Sequence, residues 1–262
     1  MKIYHKRHQS GQSSKGLTLI EILTVVAIIA ILAAILLPVL ARQKINAKAK
    51  LAKLDCATIA QAVTQYNMDN IGRFPTKPGE EMNTVGSDIT FSVHDDSSRG
   101  RAPHNSDIMI ILSALEGLGD NSDVNNGHGR NIKKFNYLGA KMTDTEGNPG
   151  MGPNGMYRDP FGNPYVVTID RNGDDKCWDW LYGDKNVSGT GPDHDKNGPG
   201  PDNNPEIGAH GLMRVGDDDS SYGYVLMGKA MVWSAGPDQG IANGESALKG
   251  CNNANADNII GW

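Results

Sequence analysis

The stretch that decides the fold is LTLIEILTVVAIIAILAAILLPVLA, residues 17–41. From Ile22 to Ala41 it carries no charged residue over 20 positions. A helix of about 20 apolar residues crosses the ~30 Å hydrocarbon core of a bilayer. Residues 1–16 contain four lysine or arginine residues and no acid, and basic flanks stay on the cytoplasmic side. The segment therefore predicts a single-pass membrane anchor with a cytoplasmic N-terminus and an exported body.

Glu21 is the one acidic residue in this apolar segment. A carboxylate near the end of a membrane helix is costly unless it is paired. No basic residue lies within the next two helical turns. The counter-charge that we expect is a free α-amine at Leu17, on the same or a neighbouring chain, which requires cleavage between Gly16 and Leu17. Two alternatives stay open: a secretory signal cleaved after Ala41, and an uncleaved signal anchor.

The sequence KGLTLIE, residues 15–21, resembles the prepilin processing site of type IV pilins and type II secretion pseudopilins. In that family a prepilin peptidase cuts after the glycine and methylates the new amine, and the glutamate pairs with this amine during assembly. The resemblance implies cleavage after Gly16, methylation of Leu17 and an assembly role for Glu21. Leu17 stands where phenylalanine is usual, and Pro38 matches a proline common in the family's helix.

Residues 42–71 are predicted to continue the helix beyond the membrane. Apolar residues recur there at alternating spacings of four and three, namely Ile45, Ala49, Ala52, Cys56, Ile59, Val63 and Tyr66. This spacing places them on one helix face, and we expect that stripe to pack on a sheet. The helix is predicted to end near Gly72, with Pro75 beyond it as a stop.

The remaining residues, 72–262, are predicted to form an acidic periplasmic head. Without the first 16 residues the chain holds 21 basic and 30 acidic residues, a net charge of −9. This balance argues against a nucleic-acid partner, which requires a basic face. No GxSxG, HExxH or Walker sequence occurs, so no residue is a catalytic candidate and we expect the chain not to be an enzyme.

Turn residues divide the head into short elements. Ser106 and Asp107 are predicted to cap a helix over 108–115. Strands are predicted at 135–138, 165–169, 222–227 and 230–234, the last two as a hairpin across Gly228 and Lys229. The predicted fold class is α+β, a long N-terminal helix packed on a small antiparallel β-sheet with long loops. Its parts are a leader (1–16), a transmembrane helix (17–41), an amphipathic helix (42–71) and the head (72–262).

Parts of the head resemble the major pseudopilin of type II secretion. They are residues 59–76, YRDPFGNPY at 157–165, VWSAGPD at 232–238 and the terminal DNIIGW at 257–262. The resemblance implies a structural subunit that polymerises with itself and with minor pseudopilins, on an inner-membrane secretion platform, into a periplasmic filament for protein export. A type IV pilus subunit for adhesion or motility and a membrane-anchored periplasmic binding module are the alternatives.

The same resemblance implies a calcium site near the C-terminus. In major pseudopilins a loop there binds calcium through two aspartates and main-chain carbonyls. Asp238 and Asp257 match the aspartates, and Ser234 stands where a main-chain ligand is expected. Oxygen-bearing loops suit calcium, which takes six to eight oxygen ligands. Gln239 is inserted and the loop over 241–256 is longer than usual, so an ordinary solvated turn remains the alternative.

Two further acidic stretches and the cysteines need interpretation. Residues 193–198 open like a calcium loop but lack the closing glutamate, so a disordered polar insertion is the stronger interpretation, and 170–175 is predicted to be a turn. Cys56 is predicted to be a small core residue. Cys177 and Cys251 are predicted either to form a disulfide or to remain two free thiols.

Overall fold

The structure is a computed structural model that describes residues 16, 18–77, 88–92, 104–118, 123–189, 208–216, 223–242, 247, 254–255 and 257–262. The chain divides into two compact units, Met1–Ile45 and Asn46–Trp262. Helix α1, Leu19–Asp69, begins in the first unit and ends in the second.

In the first unit α1 is apolar on all sides and uncovered. The side chains of Leu19, Ile31 and Leu37 are 83%, 63% and 66% exposed. The mean hydropathy reaches 3.1 over 18 residues, none of them buried. By length and composition α1 is the one helix among the described residues that could cross a membrane. This is compatible with the predicted single-pass anchor.

In the second unit α1 buries most of the predicted stripe. Five of the seven stripe residues are at most 2% exposed, namely Ala52, Cys56, Ile59, Val63 and Tyr66. The prediction is wrong for Ile45, which lies in the first unit and is 47% exposed. Ala49 is partly exposed, so full burial begins at Ala52, about two helical turns after the predicted start at Ile45.

The C-terminal end of α1 is closed by backbone hydrogen bonds. The Asn67 carbonyl accepts from the Gly72 N–H at 2.8 Å, a bond of the Schellman type that requires a left-handed residue between them. Ile71 takes that conformation with a φ of 60°, and Gly72 follows with a φ of 77°. The predicted end near Gly72 is confirmed.

The β-structure of the described residues forms antiparallel sheets. The first has the order β1 (Ile89–Phe91), β4 (Val166–Ile169), β8 (Ala230–Ser234) and β9 (Ile259–Ile260). The second pairs β2 (Gly150–Met151) with β3 (Tyr157–Arg158). The third has the order β5 (Lys176–Cys177), β7 (Gly223–Met227) and β6 (Met213–Val215). Together with the long helix, these sheets confirm the α+β fold class.

The predicted hairpin across Gly228 and Lys229 is wrong, although both of its strands exist. Strand β7 pairs with β5 and β6, whereas β8 pairs with β4 and β9. Neither linking residue has the positive φ that a two-residue hairpin turn requires. Their backbone groups instead form hydrogen bonds with the 170–175 turn. The Lys229 carbonyl accepts from the Asp170 N–H, and the Gly228 N–H donates to the Asp175 carbonyl. The chain thus passes from one sheet to another.

Two predictions for the middle of the head also need correction. Helix α2 spans Asn105–Leu112, so Ser106 and Asp107 lie in its first turn rather than at its cap. Residues 135–138 form no strand, because the amides of Tyr137 and Leu138 both donate to the Leu112 carbonyl at the end of α2. A short helix α3, Lys185–Ser188, is capped by the Asp184 side chain.

The head has two apolar clusters that share strand β8. The larger cluster joins α1, α2, β1 and β4 and includes Ile59, Phe91 and Val232. The smaller cluster surrounds Trp233, whose ring centroid lies 5.3 Å from that of Tyr182. Neighbouring residues of a strand point to opposite faces, so β8 serves one cluster with Val232 and the other with Trp233.

The cysteines that the structure describes are both free and buried. Cys56 is a core residue, as predicted. Cys177 Sγ donates to the Thr168 carbonyl at 3.3 Å. Burial raises the pKa of both thiols, which keeps them protonated. Cys251 lies outside the described residues.

Candidate functional site

The predicted cleavage position lies immediately before α1. Gly16 is exposed, and no heavy atom stands within 4 Å of the place where its Cβ would be. Within the described chain, therefore, nothing requires a glycine at this position. Leu17 lies outside the described residues. Since α1 begins at Leu19, a cut after Gly16 would leave only two residues ahead of the helix.

Glu21 lies in the first turn of α1 and closes a capping box with Thr18. Its Oε2 accepts from the Thr18 backbone N–H at 2.7 Å and from the Thr18 hydroxyl at 2.8 Å. In return, Thr18 Oγ1 accepts from the Glu21 N–H at 3.3 Å. This reciprocal pair satisfies amides that a helix start leaves without partners.

The sequence reasoning missed this role of Thr18, although the signal was present. The spacing T-x-x-E directly before an apolar run is the signature of a capping box. The glutamate therefore has polar partners in the uncleaved chain, before any α-amine is created at Leu17. Pairing of Glu21 with that amine stays a prediction.

A second candidate site lies near the C-terminus, where Asp238 and Asp257 come together. Oδ2 of Asp257 accepts from the Asp238 N–H at 3.2 Å, and Oδ1 of Asp238 accepts from the Gly240 N–H at 2.8 Å. Gly236 permits this approach, because its φ is 74° and a Cβ would stand 2.3 Å from the Asp257 carbonyl oxygen. The fold thus joins two residues that are 19 positions apart in sequence.

The Asp257 carboxyl of this pair has a raised pKa and one oxygen atom without a hydrogen-bond partner among the described residues. Burial, followed by the neighbouring Asp238 carboxylate, raises the pKa of Asp257. Oδ1 of Asp257 is buried and has no hydrogen-bond partner among the described residues. Two close carboxylates with one unpaired buried oxygen are a donor set that suits a hard cation such as calcium. The residues therefore fit the ion that the sequence predicts.

Ser234 lies at the end of β8 and is buried. Its hydroxyl donates to the carboxylate of Asp159 and accepts from the Gly236 N–H at 3.2 Å. Its side chain is thus engaged in holding the turn, and its backbone pairs with Ile259. The predicted role of Ser234 as a main-chain ligand stays a prediction.

Asp159 connects this loop to the DPFGN stretch that the sequence also singled out. Its Oδ1 accepts from the backbone amides of Phe161 and Asn163, both at 2.8 Å. The Asn163 side chain then donates to the Gly236 carbonyl at 2.7 Å. The stretches 157–165 and 232–238 are therefore one hydrogen-bonded unit, which sequence spacing alone could not reveal.

The other acidic stretches differ from this pair. Residues 170–175 form the predicted turn, in which Asp170 accepts three backbone N–H groups and the Lys229 ammonium at 3.3 Å. Its carboxylate is therefore already satisfied. Residues 193–198 lie outside the described part of the chain. Among the described residues no group of three or more His, Cys, Asp or Glu side chains is arranged to hold a metal.

Comparison with known proteins bears on the first site. Residues 11–37 match the family model described as the prokaryotic N-terminal methylation motif. This match spans Gly16, Leu17 and Glu21 and covers about a tenth of the chain. No curated protein and no solved structure matches the chain. The N-terminal segment is thus similar to that of pilin-like chains, and the match supports a pilin-like or pseudopilin subunit.

Proposed function

We propose that the chain is a structural pseudopilin subunit, which a prepilin peptidase cleaves after Gly16 and methylates at Leu17. The processed subunits polymerise into a type II secretion pseudopilus for protein export. The observation that carries this proposal is the methylation motif at 11–37, directly followed by an uncovered apolar helix. An exposed Gly16 that the fold itself does not require supports recognition by an external enzyme.

Apolar side chains on α1 are covered by lipid before assembly and by neighbouring copies in the filament. Because lipid tails are as apolar as these side chains, van der Waals packing and polar pairing, not transfer out of water, stabilise the contact between helices. In this proposal Glu21 exchanges its Thr18 partners for the α-amine of Leu17, which sets the register of neighbouring helices.

We propose a secretion pseudopilus rather than a type IV pilus because of the sequence resemblance of the head. The connected stretches around Asp159 and 232–238 are those that resemble major pseudopilins. The proposed location is the inner membrane, with the N-terminus cytoplasmic and the head periplasmic. The proposed partners are further copies of the chain, minor pseudopilins and the inner-membrane secretion platform.

The decisive experiment is mass spectrometry of the mature N-terminus, from cells that contain a prepilin peptidase. We expect a chain that begins at N-methylated Leu17. An intact leader, or a cut after Ala41, would contradict the proposal and would favour a membrane-anchored binding module. Electron microscopy of sheared material then separates long surface pili from short periplasmic filaments.

Glu21 provides a second test of assembly. We expect Glu21→Ala to remain in the membrane and to be cleaved, while filaments recovered by sedimentation fall at least about tenfold, the equivalent of ~1.4 kcal/mol. Glu116→Ala is a matched control, since Glu116 is an exposed glutamate of the head with a long contact to His128 at 3.5 Å. Normal filaments from Glu21→Ala would contradict its pairing role.

We further propose that calcium binds between Asp238 and Asp257, with main-chain oxygen from Ser234. The unpaired Oδ1 of Asp257 supports this proposal. Calcium at about 100 times its Kd should raise the Tm of the head by about 5 °C or more. Asp257→Asn should abolish this rise, whereas Asp123→Asn, an exposed acid elsewhere, should preserve it. Equal Tm values in calcium and in chelator would refute the site.

A further inference from the structure

A cleft of about 490 Å³ opens at the C-terminal end of α1, within the head. Three apolar side chains line it, Ile71, Phe74 and Ile132. Ile71 is 96% exposed and Ile132 is 78% exposed. Two isoleucines exposed in one cleft form an apolar patch, and contiguous exposed apolar patches mark interaction sites.

Ile71 is also strained where it stands. Its φ of 60° is the left-handed conformation that glycine adopts easily and that β-branched residues rarely adopt. Neither packing against the described residues nor backbone preference favours isoleucine at this position. Strained and exposed apolar residues are typical of binding surfaces, where an outside contact offsets their cost.

The wall of the cleft is basic, in contrast to the acidic chain. Four cationic residues line it, namely Arg73, Arg130, Lys133 and Arg171, against a single acid, Asp69. The Asp69 carboxylate already accepts from the Tyr137 hydroxyl at 3.1 Å. Lys133 donates to a backbone carbonyl at 2.7 Å, and Nε of Arg171 is buried with no partner among the described residues. The cleft therefore suits an apolar segment that carries carboxylates.

The head itself presents such a segment in the loop over 142–147. Asp144 and Glu146 are exposed there and form no ion pair with a described residue. Met142, beside them, is 51% exposed. Two acids and an apolar side chain within five residues complement the cations and isoleucines of the cleft.

The 142–147 loop does not line the cleft of its own chain. None of its residues is among those that line the cleft, and Met142, Asp144 and Glu146 are exposed. The far end of the loop lies toward Lys48, since a Cβ on Gly162 would lie 3.1 Å from the Gly147 carbonyl oxygen and the adjacent Phe161 ring lies 5.2 Å from Lys48 Nζ. The exposed loop is therefore available to a second copy of the chain.

We propose that the basic cleft receives the 142–147 loop of a second copy of this chain, head to tail. A contact between two different surfaces of identical chains repeats from copy to copy, and it builds an open filament when its rotation does not close a ring. The proposal deepens the filament function and rests on it. It also explains how processed chains of net charge −9 can stack, since each acidic loop meets a basic cleft.

The test uses the full-length chain in membranes of cells that contain the processing peptidase. Ile132→Cys and Met142→Cys are combined in one chain, with Cys251→Ser as background, and the membranes are oxidised. A head-to-tail contact should give a ladder of dimers, trimers and higher oligomers. Each single-cysteine variant should give no product larger than a dimer.

Charge reversal then tests the proposed chemistry. Arg73→Glu with Lys133→Glu should reduce the ladder about tenfold, because like charges then face each other across the contact. Adding Asp144→Lys and Glu146→Lys should restore it. Lys134→Glu is the matched control, because Lys134 is an exposed neighbour of Lys133 that does not line the cleft, and it should leave the ladder unchanged.

Ile71→Asn separates docking from folding. Asparagine tolerates a positive φ, so the Tm of the head should stay equal or rise while the ladder is reduced. Filaments with a processed N-terminus that give no ladder, or one insensitive to charge reversal, overturn the docking proposal and leave the filament proposal intact. A retained leader overturns the filament proposal, whereas a ladder formed by such a chain would still support docking.

Discussion

The two parts of helix α1 belong to one continuous element, but the apolar side chains of the first part are exposed, whereas most of the apolar stripe of the second part is buried. In the first unit Ile31 is 63% exposed, and in the second Ile59 is completely buried. The first part offers apolar side chains on every face, whereas the second alternates them with polar residues on one stripe. A helix that is apolar all round requires cover from outside the chain, whereas a striped helix is covered by its own head.

Because of this difference, the stability of the head and the assembly of the chain should depend on different parts of α1. Substitutions in the second unit should change the stability of the head, and those in the first should change assembly alone. The four tryptophans, at positions 178, 180, 233 and 262, all lie in the head. Tryptophan fluorescence of the full-length protein in detergent therefore reports unfolding of the head selectively.

The sharpest test applies the same substitution to both parts. Ile59→Ala should lower the free energy of unfolding of the head by about 3 kcal/mol, because it leaves a cavity in the core. Ile31→Ala should change it by less than about 0.5 kcal/mol, since no side chain of the head is removed. Urea titrations followed by tryptophan fluorescence measure both values. Equal losses would show that the two parts are not distinct.

The next effect concerns how the chain end covers the buried part of α1. A Cβ at Gly261 would stand 2.6 Å from Cys56 Cβ and 2.7 Å from the Val232 carbonyl oxygen. Gly261→Ala should therefore destabilise the head by about 2 kcal/mol through overpacking. Gly139→Ala is the control, because no atom of the described residues stands within 4 Å of a Cβ at that position. Similar urea midpoints for the two variants would contradict the close approach.

A smaller effect is expected at the start of the exposed part. Thr18→Ala removes the capping partner of Glu21 and should destabilise the first turn of α1 by about 1 kcal/mol. In the uncleaved chain the Glu21 N–H donates to Thr18 Oγ1, so its amide hydrogen exchange should accelerate about fivefold in Thr18→Ala, while Thr18→Ser should preserve the protection. The fluorescence of the head should not respond. Unchanged exchange in Thr18→Ala would argue against the capping box.

The smallest effect is a pH dependence that belongs to the head alone. Burial, partly opposed by a hydrogen bond from the Trp178 N–H, raises the pKa of Asp88 from 3.8 to about 6. The folded state then binds more protons than the unfolded state between these values, so stability falls as pH rises through this range. Asp88 is only half-buried, so we expect a change below about 1 kcal/mol. Asp88→Asn should flatten the slope, and an unaltered slope would exclude this carboxyl as its source.

Local sequence signals predicted the parts of the fold that depend on neighbours along the chain. The apolar run, the stripe from Ala52 to Tyr66, the end of α1 near Gly72 and the strand at 166–169 follow from periodicity and turn residues. The capping role of Thr18 could have been predicted in the same way from its spacing to Glu21, but the sequence analysis did not predict it.

Predictions failed where distant partners decide the outcome. Gly228 and Lys229 have the composition of a hairpin turn, yet their backbone groups bond to Asp170 and Asp175, and this places β7 and β8 in different sheets. Residues 135–138 resemble a strand, but their amides bond to the end of α2. Turn chemistry describes local preference, whereas long-range hydrogen bonds select among the conformations that it allows.

By itself, the sequence determined that this chain has an apolar N-terminal helix with a carboxylate at its start and an acidic head, because hydropathy, charge and periodicity are properties of order along the chain. Only the tertiary structure decided that Asp238 meets Asp257, that the Asp159 turn fastens their loop, and that a basic cleft and an acidic loop lie apart on the head. These arrangements join residues far apart in sequence, and only the packing of the sheets on α1 brings them to their places.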